Sequence, residues 1–270
     1  MFKWIKLISP ADIFTLLNGI VGFIAITYII DGNFLFASLL IFVSLFMDRL
    51  DGFVARRILS KHTKGRYLDS ISDTISFCFA PALLVYNSFY NQSLGIFYIG
   101  FVTITSILIF SFGLIRLVRF SRKTYIFKNF SGVPTPATAL FSIVMSLLFG
   151  KVQSLDGYSL PFLTFQPFVA LPLIIFISFM MLVNIEFPKM RLRIRYLLSI
   201  SVLASIFCFS VYYLFLIANP IWYTLITSVV YLMLIIILSY LIIGPIYIKM
   251  IKCKTYDFKQ RRRSKWIKKF

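Results

Sequence analysis

Histidine is almost absent from this chain: His62 is the single one among 270 residues. The three cysteines, Cys78, Cys208 and Cys253, stand far apart with no metal-ligand spacing. A zinc site needs clustered thiolates or imidazoles, so none is expected, and the cysteines read as packing residues. A lone histidine in a basic loop likewise gives no basis for histidine catalysis. Acidic residues are scarce too, nine against 28 lysines and arginines, for a net charge of +19. Charged residues make up only 14% of the chain. With 60% hydrophobic residues and a mean hydropathy of +0.90, this leaves no soluble domain of useful size. The chain falls in the polytopic membrane class. There is no internal repeat, no low-complexity stretch and no cleavable signal pattern, since a short basic N-terminus leads straight into an apolar run.

Apolar runs of roughly twenty residues can cross a hydrocarbon core of about 30 Å. Eight occur, near 11–30, 34–58, 67–90, 95–119, 133–150, 166–185, 196–218 and 221–247. The basic residues alternate between the connecting loops. Two precede the first run, six lie between Arg49 and Arg66, five lie around the end of the fourth run (Arg116 to Lys128), four follow the sixth and ten crowd the tail. The loops near Asp31, Asn91 and Asn219 have none. This bias predicts a multi-pass protein of the cell membrane with both termini cytoplasmic. It also accounts for the positive charge without nucleic acid, because a basic tail next to anionic headgroups gains about 1 kcal/mol per lysine or arginine. Residues 1–10 mix Phe2, Trp4 and Ile5 with Lys3 and Lys6, as an interfacial segment does. Pro81 inside the third run predicts a helix distortion near Cys78–Phe79.

Against the scarcity of acidic residues, four of the nine lie between Asp48 and Asp73. Asp48 and Asp51 are three apart and Asp69 and Asp73 four apart, spacings that put each pair on one helix face. A basic loop containing Gly65 separates the pairs and lets the second helix fold back on the first. A carboxylate at membrane depth costs about 2.5–3.5 kcal/mol, so four together call for a cavity and a cation. Oxygen ligands alone suit Mg²⁺, Mn²⁺ or Ca²⁺. Ion pairs with Arg49, Arg56, Arg57 and Arg66 would account for the charges, but not for the spacing or the glycines among them. On the first run, Thr15 and Asn18 are polar at helical spacing. They suit either nucleotide contacts or interhelical hydrogen bonds, and Asn18 with Gly22 would allow close helix approach.

The full pattern is Asp51-Gly52-x2-Ala55-Arg56-x8-Gly65-x3-Asp69-x3-Asp73, with Asp48 upstream. It resembles the signature of the CDP-alcohol phosphatidyltransferases at every signature position. The resemblance implies an all-α integral membrane fold of about eight transmembrane helices, a six-helix family core plus two C-terminal helices. It implies transfer of a phosphatidyl group from a CDP-activated lipid to an alcohol with release of CMP, assisted by two divalent ions. Asp48, Asp51, Asp69 and Asp73 are then the metal ligands, with Asp73 also the general base. Gly52, Ala55, Arg56 and Gly65 would contact the CDP-lipid, joined by Thr15 and Asn18. The family also implies a homodimer.

Three further segments are similar to the serine-transferring branch, the type II phosphatidylserine and archaetidylserine synthases. They are Leu68–Ser70 running into Ser76–Ala82, then Arg116–Phe120, then Gly132–Ala137. This chain has Cys78-Phe79 where that branch usually has Gly-Val, and Val118 and Ser121 where it has Ala and Asn. The implied reaction is CDP-lipid:L-serine phosphatidyltransfer, with CDP-diacylglycerol or CDP-archaeol as donor and Arg116 or Arg119 holding the serine carboxylate. Lipid phosphate binding and positive-inside anchoring are competing roles for these arginines. The same chemistry with glycerol 3-phosphate, inositol phosphate or an amino alcohol is the alternative acceptor reading. A divalent-cation transporter is the alternative of another class, and it leaves Gly52, Ala55 and Gly65 unexplained. The expected organisation is an interfacial segment over 1–10, a membrane core over 11–195, two further spans over 196–248 and a basic cytoplasmic tail over 249–270.

Overall fold

A computed structural model describes residues 10–58, 63–122, 130–150, 167–183, 185–187 and 228–246. Helix α1, Pro10–Ile30, starts with a proline at a position where its missing N–H is not needed. Gly32 reverses the chain at φ 78°. Asn33 then caps α2, Phe34–Ile58, by accepting the Phe36 N–H at 3.2 Å. The two helices form an antiparallel pair packed along their length.

Helix α3, Thr63–Asp73, runs into a π-helical turn, Thr74–Phe79, and then α4, Ala80–Phe89. The distortion anticipated at Cys78–Phe79 takes this form. Pro81 has no N–H to give, and the Ala80 N–H reaches back five residues to the Ile75 carbonyl. One extra residue in the turn re-aims the side chains on either side of it. Cys78, where the serine branch has glycine, fits because Gly113 stands opposite. A Cβ on Gly113 would lie 2.6 Å from the Cys78 sulfur.

Helix α5, Gly95–Arg122, leads to a two-residue antiparallel ladder between β1, Phe130–Ser131, and β2, Glu186–Phe187. Gly132 turns at φ 82° and Pro134 leads into α6, Thr135–Phe149. Helix α7, Pro167–Met180, and helix α8, Ser228–Ile246, complete the described elements. The described fold is thus helical apart from that short ladder. Four of its segments are long and apolar enough to cross a membrane: Asp12–Ile30, Tyr67–Phe89, Gln92–Arg119 and Ser228–Ile246. Helix α2 has the length, but Asp48, Arg49 and Asp51 interrupt its apolar run. The run at 196–218, the interfacial segment over 1–9 and the tail over 249–270 lie outside the described residues.

Helix α6 is the centre. Its 15 residues span only about 22 Å, less than a bilayer core, and most are buried. Around it pack Phe42 and Leu45 of α2, Phe77 of the π turn, Leu84 of α4 and Ile174 of α7. The outer faces carry Phe23, Ile30, Phe97, Ile107, Phe176 and Ile242 exposed, as a lipid-facing surface requires.

Candidate active site at the aspartate helices

One face of α1 organises the site. Thr15, Asn18, Gly19 and Gly22 recur at three- and four-residue spacing and all point at the helices that bear the aspartates. A Cβ on Gly19 would meet the Ser72 hydroxyl oxygen at 2.9 Å, and one on Gly22 would meet the Ser76 oxygen at 2.2 Å and Ser76 Cα at 2.9 Å. The absence of side chains there lets α1 approach the π turn closely enough for the Ser76 hydroxyl to donate to the Asn18 carbonyl at 2.9 Å. The close approach read from Asn18 and Gly22 is therefore realised.

The same approach brings the polar half of the α1 face onto the carboxylates. Thr15 Oγ1 donates to Asp51 Oδ2 at 2.9 Å, and Asn18 Nδ2 donates to Asp73 Oδ1 at 3.2 Å. Of the two roles open to Thr15 and Asn18, the structure displays the interhelical hydrogen bond. The Asn18 Oδ1 atom remains buried without a partner.

Asp48 and Asp51 from α2 meet Asp69 from α3, one ligand oxygen from each lying within 4.8 Å of the others. Asp51 is buried and the other two are half-buried. Like charges this close repel strongly in a medium of low dielectric constant. Arg49 lies near enough to Asp48 to offset part of that repulsion. An all-oxygen triad of this kind can hold a divalent metal ion. Asp73 is one helical turn beyond Asp69, within electrostatic range of all three carboxylates but outside the 4.8 Å cluster.

Behind Asp73 lies Arg116 on α5, only 8% exposed. Its Nη1 donates to Thr135 Oγ1 at the start of α6, and its Nε has no hydrogen-bond partner. Asp73 and Cys78 are both within its electrostatic range. Arg119, a turn further along, has a different environment: its Nη1 donates to the Leu182 carbonyl at 2.9 Å, tying α5 to the end of α7. The two arginines, equivalent in the sequence, are thereby separated.

Gly52 is half-buried on α2 beside Asp51. Ala55 and Arg56 belong to the α2 backbone, but their side chains lie outside the described residues. Gly65, expected in a loop, is instead the third residue of α3. The glycine penalty of about 1 kcal/mol belongs to helix interiors, and this position is in the first turn. The sequence does not mark Thr135 or Ser76 as site residues. Each sits inside a segment similar to the serine branch, but nothing local points its hydroxyl at a distant group.

A family profile described as CDP-alcohol phosphatidyltransferase matches residues 9–185. The chain is 34% identical to the CDP-diacylglycerol–serine O-phosphatidyltransferase of Methanocaldococcus jannaschii, over 76% of this chain and 87% of that protein. It is 32% identical to the archaetidylserine synthase of Methanothermobacter thermautotrophicus, over 69% and 72% of the two chains. A Helicobacter pylori CDP-diacylglycerol–serine O-phosphatidyltransferase is 31% identical over 73% of this chain and 78% of its own. With the profile covering the aspartate helices and the arginines behind them, the chain belongs to the CDP-alcohol phosphatidyltransferase family.

Proposed function

We propose that this protein transfers the phosphatidyl or archaetidyl group of a CDP-activated lipid to the hydroxyl of L-serine, releasing CMP. The observation that carries the reading is the convergence of Asp48, Asp51 and Asp69 within 4.8 Å, with Arg116 buried behind Asp73. The names of the three relatives favour serine as acceptor; two favour CDP-diacylglycerol as donor and the third its ether-linked counterpart, CDP-archaeol.

The aspartates would hold two divalent ions, Mg²⁺ or Mn²⁺ with Ca²⁺ as a competing occupant, Asp73 completing the second. Bound there, such ions neutralise the pyrophosphate and the charge that develops on the leaving oxygen. The chain's own groups do the rest. Thr15 fixes the Asp51 carboxylate through its hydrogen bond, and Asn18 fixes Asp73, leaving a second Asp73 oxygen to take the proton from the serine hydroxyl. As that hydroxyl oxygen bonds to phosphorus, the bond from phosphorus to the CMP oxygen breaks. Gly52, Ala55, Arg56 and Gly65 would line the nucleotide, which needs room against the helix, and the buried Asn18 Oδ1 is an acceptor suited to a donor group on it.

Arg116 fits the serine carboxylate better than Arg119 does. Its guanidinium is buried with Nε–H still to donate, whereas Arg119 is engaged with the Leu182 carbonyl just past α7. The wider organisation we propose has eight spans, the first six forming the family core over 11–195. The active site and both termini face the cytoplasm, and the protein acts as a homodimer. The test is incorporation of labelled serine into lipid by purified protein supplied with each CDP-lipid and a panel of other alcohols. Labelled product with serine supports the reading; CMP release only with another alcohol moves the protein to a different acceptor.

A further inference from the structure

The family profile ends at residue 185, yet the described structure has a helix beyond it. Helix α8 is apolar through most of its length, and its outer face is clear from exposed Leu232, Ile235, Ile242 and Ile246. Its inward row is Val230, Met233, Ile237 and Tyr240, at three- and four-residue spacing. The first three enter the main hydrophobic core. The fourth leaves it for a separate small cluster with Val133 and Met181, flanked by Phe112 and Ala137. A helix that only filled lipid-side volume would have no use for a phenol on this face. Tyr231 of the same helix is 38% exposed, whereas Tyr240 is 3% exposed.

The surroundings of the Tyr240 head are those of the acceptor arginine. Phe112, which packs against this cluster, lies one helical turn before Arg116, and Val133 lies two residues before Thr135, the Arg116 hydrogen-bond partner. The phenol oxygen is fully buried and within electrostatic range of the Arg116 guanidinium. Arg116 in turn is within range of Asp73. Asp73, Arg116 and Tyr240 therefore follow one another from the aspartate site outward, and the Arg116 Nε–H is a buried donor lacking an acceptor. A buried guanidinium with an unmatched donor suits an anion, and a hydroxyl beside it adds a second donor to a carboxylate.

Resting on the serine reading above, we infer that Tyr240 of α8 is a specificity residue that completes the acceptor subsite, its hydroxyl binding the acceptor carboxylate together with Arg116. The last described helix is then part of the enzyme's selectivity and not only a scaffold.

The test uses the full-length protein in lipid nanodiscs and compares Y240F, R116A and the double variant with the wild type. The phenylalanine keeps the ring and its packing, so thermal melting should be unchanged. The expected result for Y240F is a KM for serine raised about tenfold, as for loss of a hydrogen bond to a charged group. The KM for the CDP-lipid should stay within about twofold. In the double variant the serine KM should be no worse than with R116A alone, because the two act on one group. An unchanged serine KM in Y240F, or equal rises for both substrates, overturns the inference and leaves Tyr240 a packing residue. A wild type that releases CMP with another alcohol but not with serine overturns the acceptor reading itself, and this inference with it.

Discussion

Gly22→Ala adds one carbon atom at the closest helix approach in the site, and its consequence can be worked through. The new Cβ would stand 2.2 Å from the Ser76 oxygen and 2.9 Å from Ser76 Cα. A rotation of the Ser76 side chain relieves the first clash but not the second, which is backbone, so α1 and the π turn must separate by several tenths of an ångström or more. Overpacking of this kind costs about 1–3 kcal/mol of stability. The separation also loosens the Ser76 bond to the Asn18 carbonyl and, with it, the Asn18 bond to Asp73. A misplacement of order 1 Å at a reacting group lowers turnover by about 10²-fold. The assay is CMP release at saturating substrates alongside a thermal melt in the same detergent. Adding Ser76→Gly should restore part of the melting loss but not the turnover, since it clears the hydroxymethyl group from the path of the new methyl and also deletes the donor to the Asn18 carbonyl. Gly100→Ala is the internal control. Nothing lies within 4 Å of a Cβ there, so that variant should gain up to about 1 kcal/mol of helix stability and keep full activity. Wild-type turnover and melting in Gly22→Ala would refute the close-approach account.

Other outcomes follow from the same geometry. Thr15→Val removes the donor to Asp51 and should raise the metal concentration for half-maximal activity about tenfold, read from a Mn²⁺ titration; an unchanged titration would mean the hydrogen bond does not orient the ligand. Arg119→Ala should lower the melting temperature through loss of the tie to the Leu182 carbonyl while moving the serine KM less than about twofold, which a KM comparison with Arg116→Ala checks directly. Gly132→Ala combines a φ of 82° with a Cβ 2.2 Å from the Met181 carbonyl oxygen, and should lose more than the about 1–2 kcal/mol of the backbone term alone by thermal melting. Chelation should abolish CMP release, and Mg²⁺ or Mn²⁺ should restore it.

What could be read from the sequence was whatever repeats at helical spacing within one segment. The aspartate pairs and the α1 face with Asn18 and Gly22 are of that kind, and the fold places them as their spacing implies. The π turn is not. Pro81 announces a disturbance, but its form depends on Cys78 meeting Gly113 across on another helix. Nor can spacing separate Arg116 from Arg119. One ends against Thr135 and the other against Leu182, partners set by how α6 and α7 return to α5. Gly65 shows a smaller failure: a glycine among basic residues reads as loop, but the first helical turn accepts it. Tyr240 was invisible because nothing in the sequence distinguishes it from Tyr231 on the same apolar helix, and only the packing brings it near Arg116.

The arrangement joins two requirements of phosphatidyl transfer in one bundle. Carboxylates of α2 and α3 gather where a metal-bound pyrophosphate would sit, and a buried arginine stands behind the carboxylate proposed as base. The glycines of α1 let that helix close onto Ser72 and Ser76, on either side of Asp73. The most direct test is serine-dependent CMP release by the purified protein with a CDP-lipid and Mn²⁺, compared with Asp73→Asn. The account expects release that needs both serine and metal and that falls at least about 10²-fold in the variant. Release that is independent of serine, or that survives in Asp73→Asn, would contradict it.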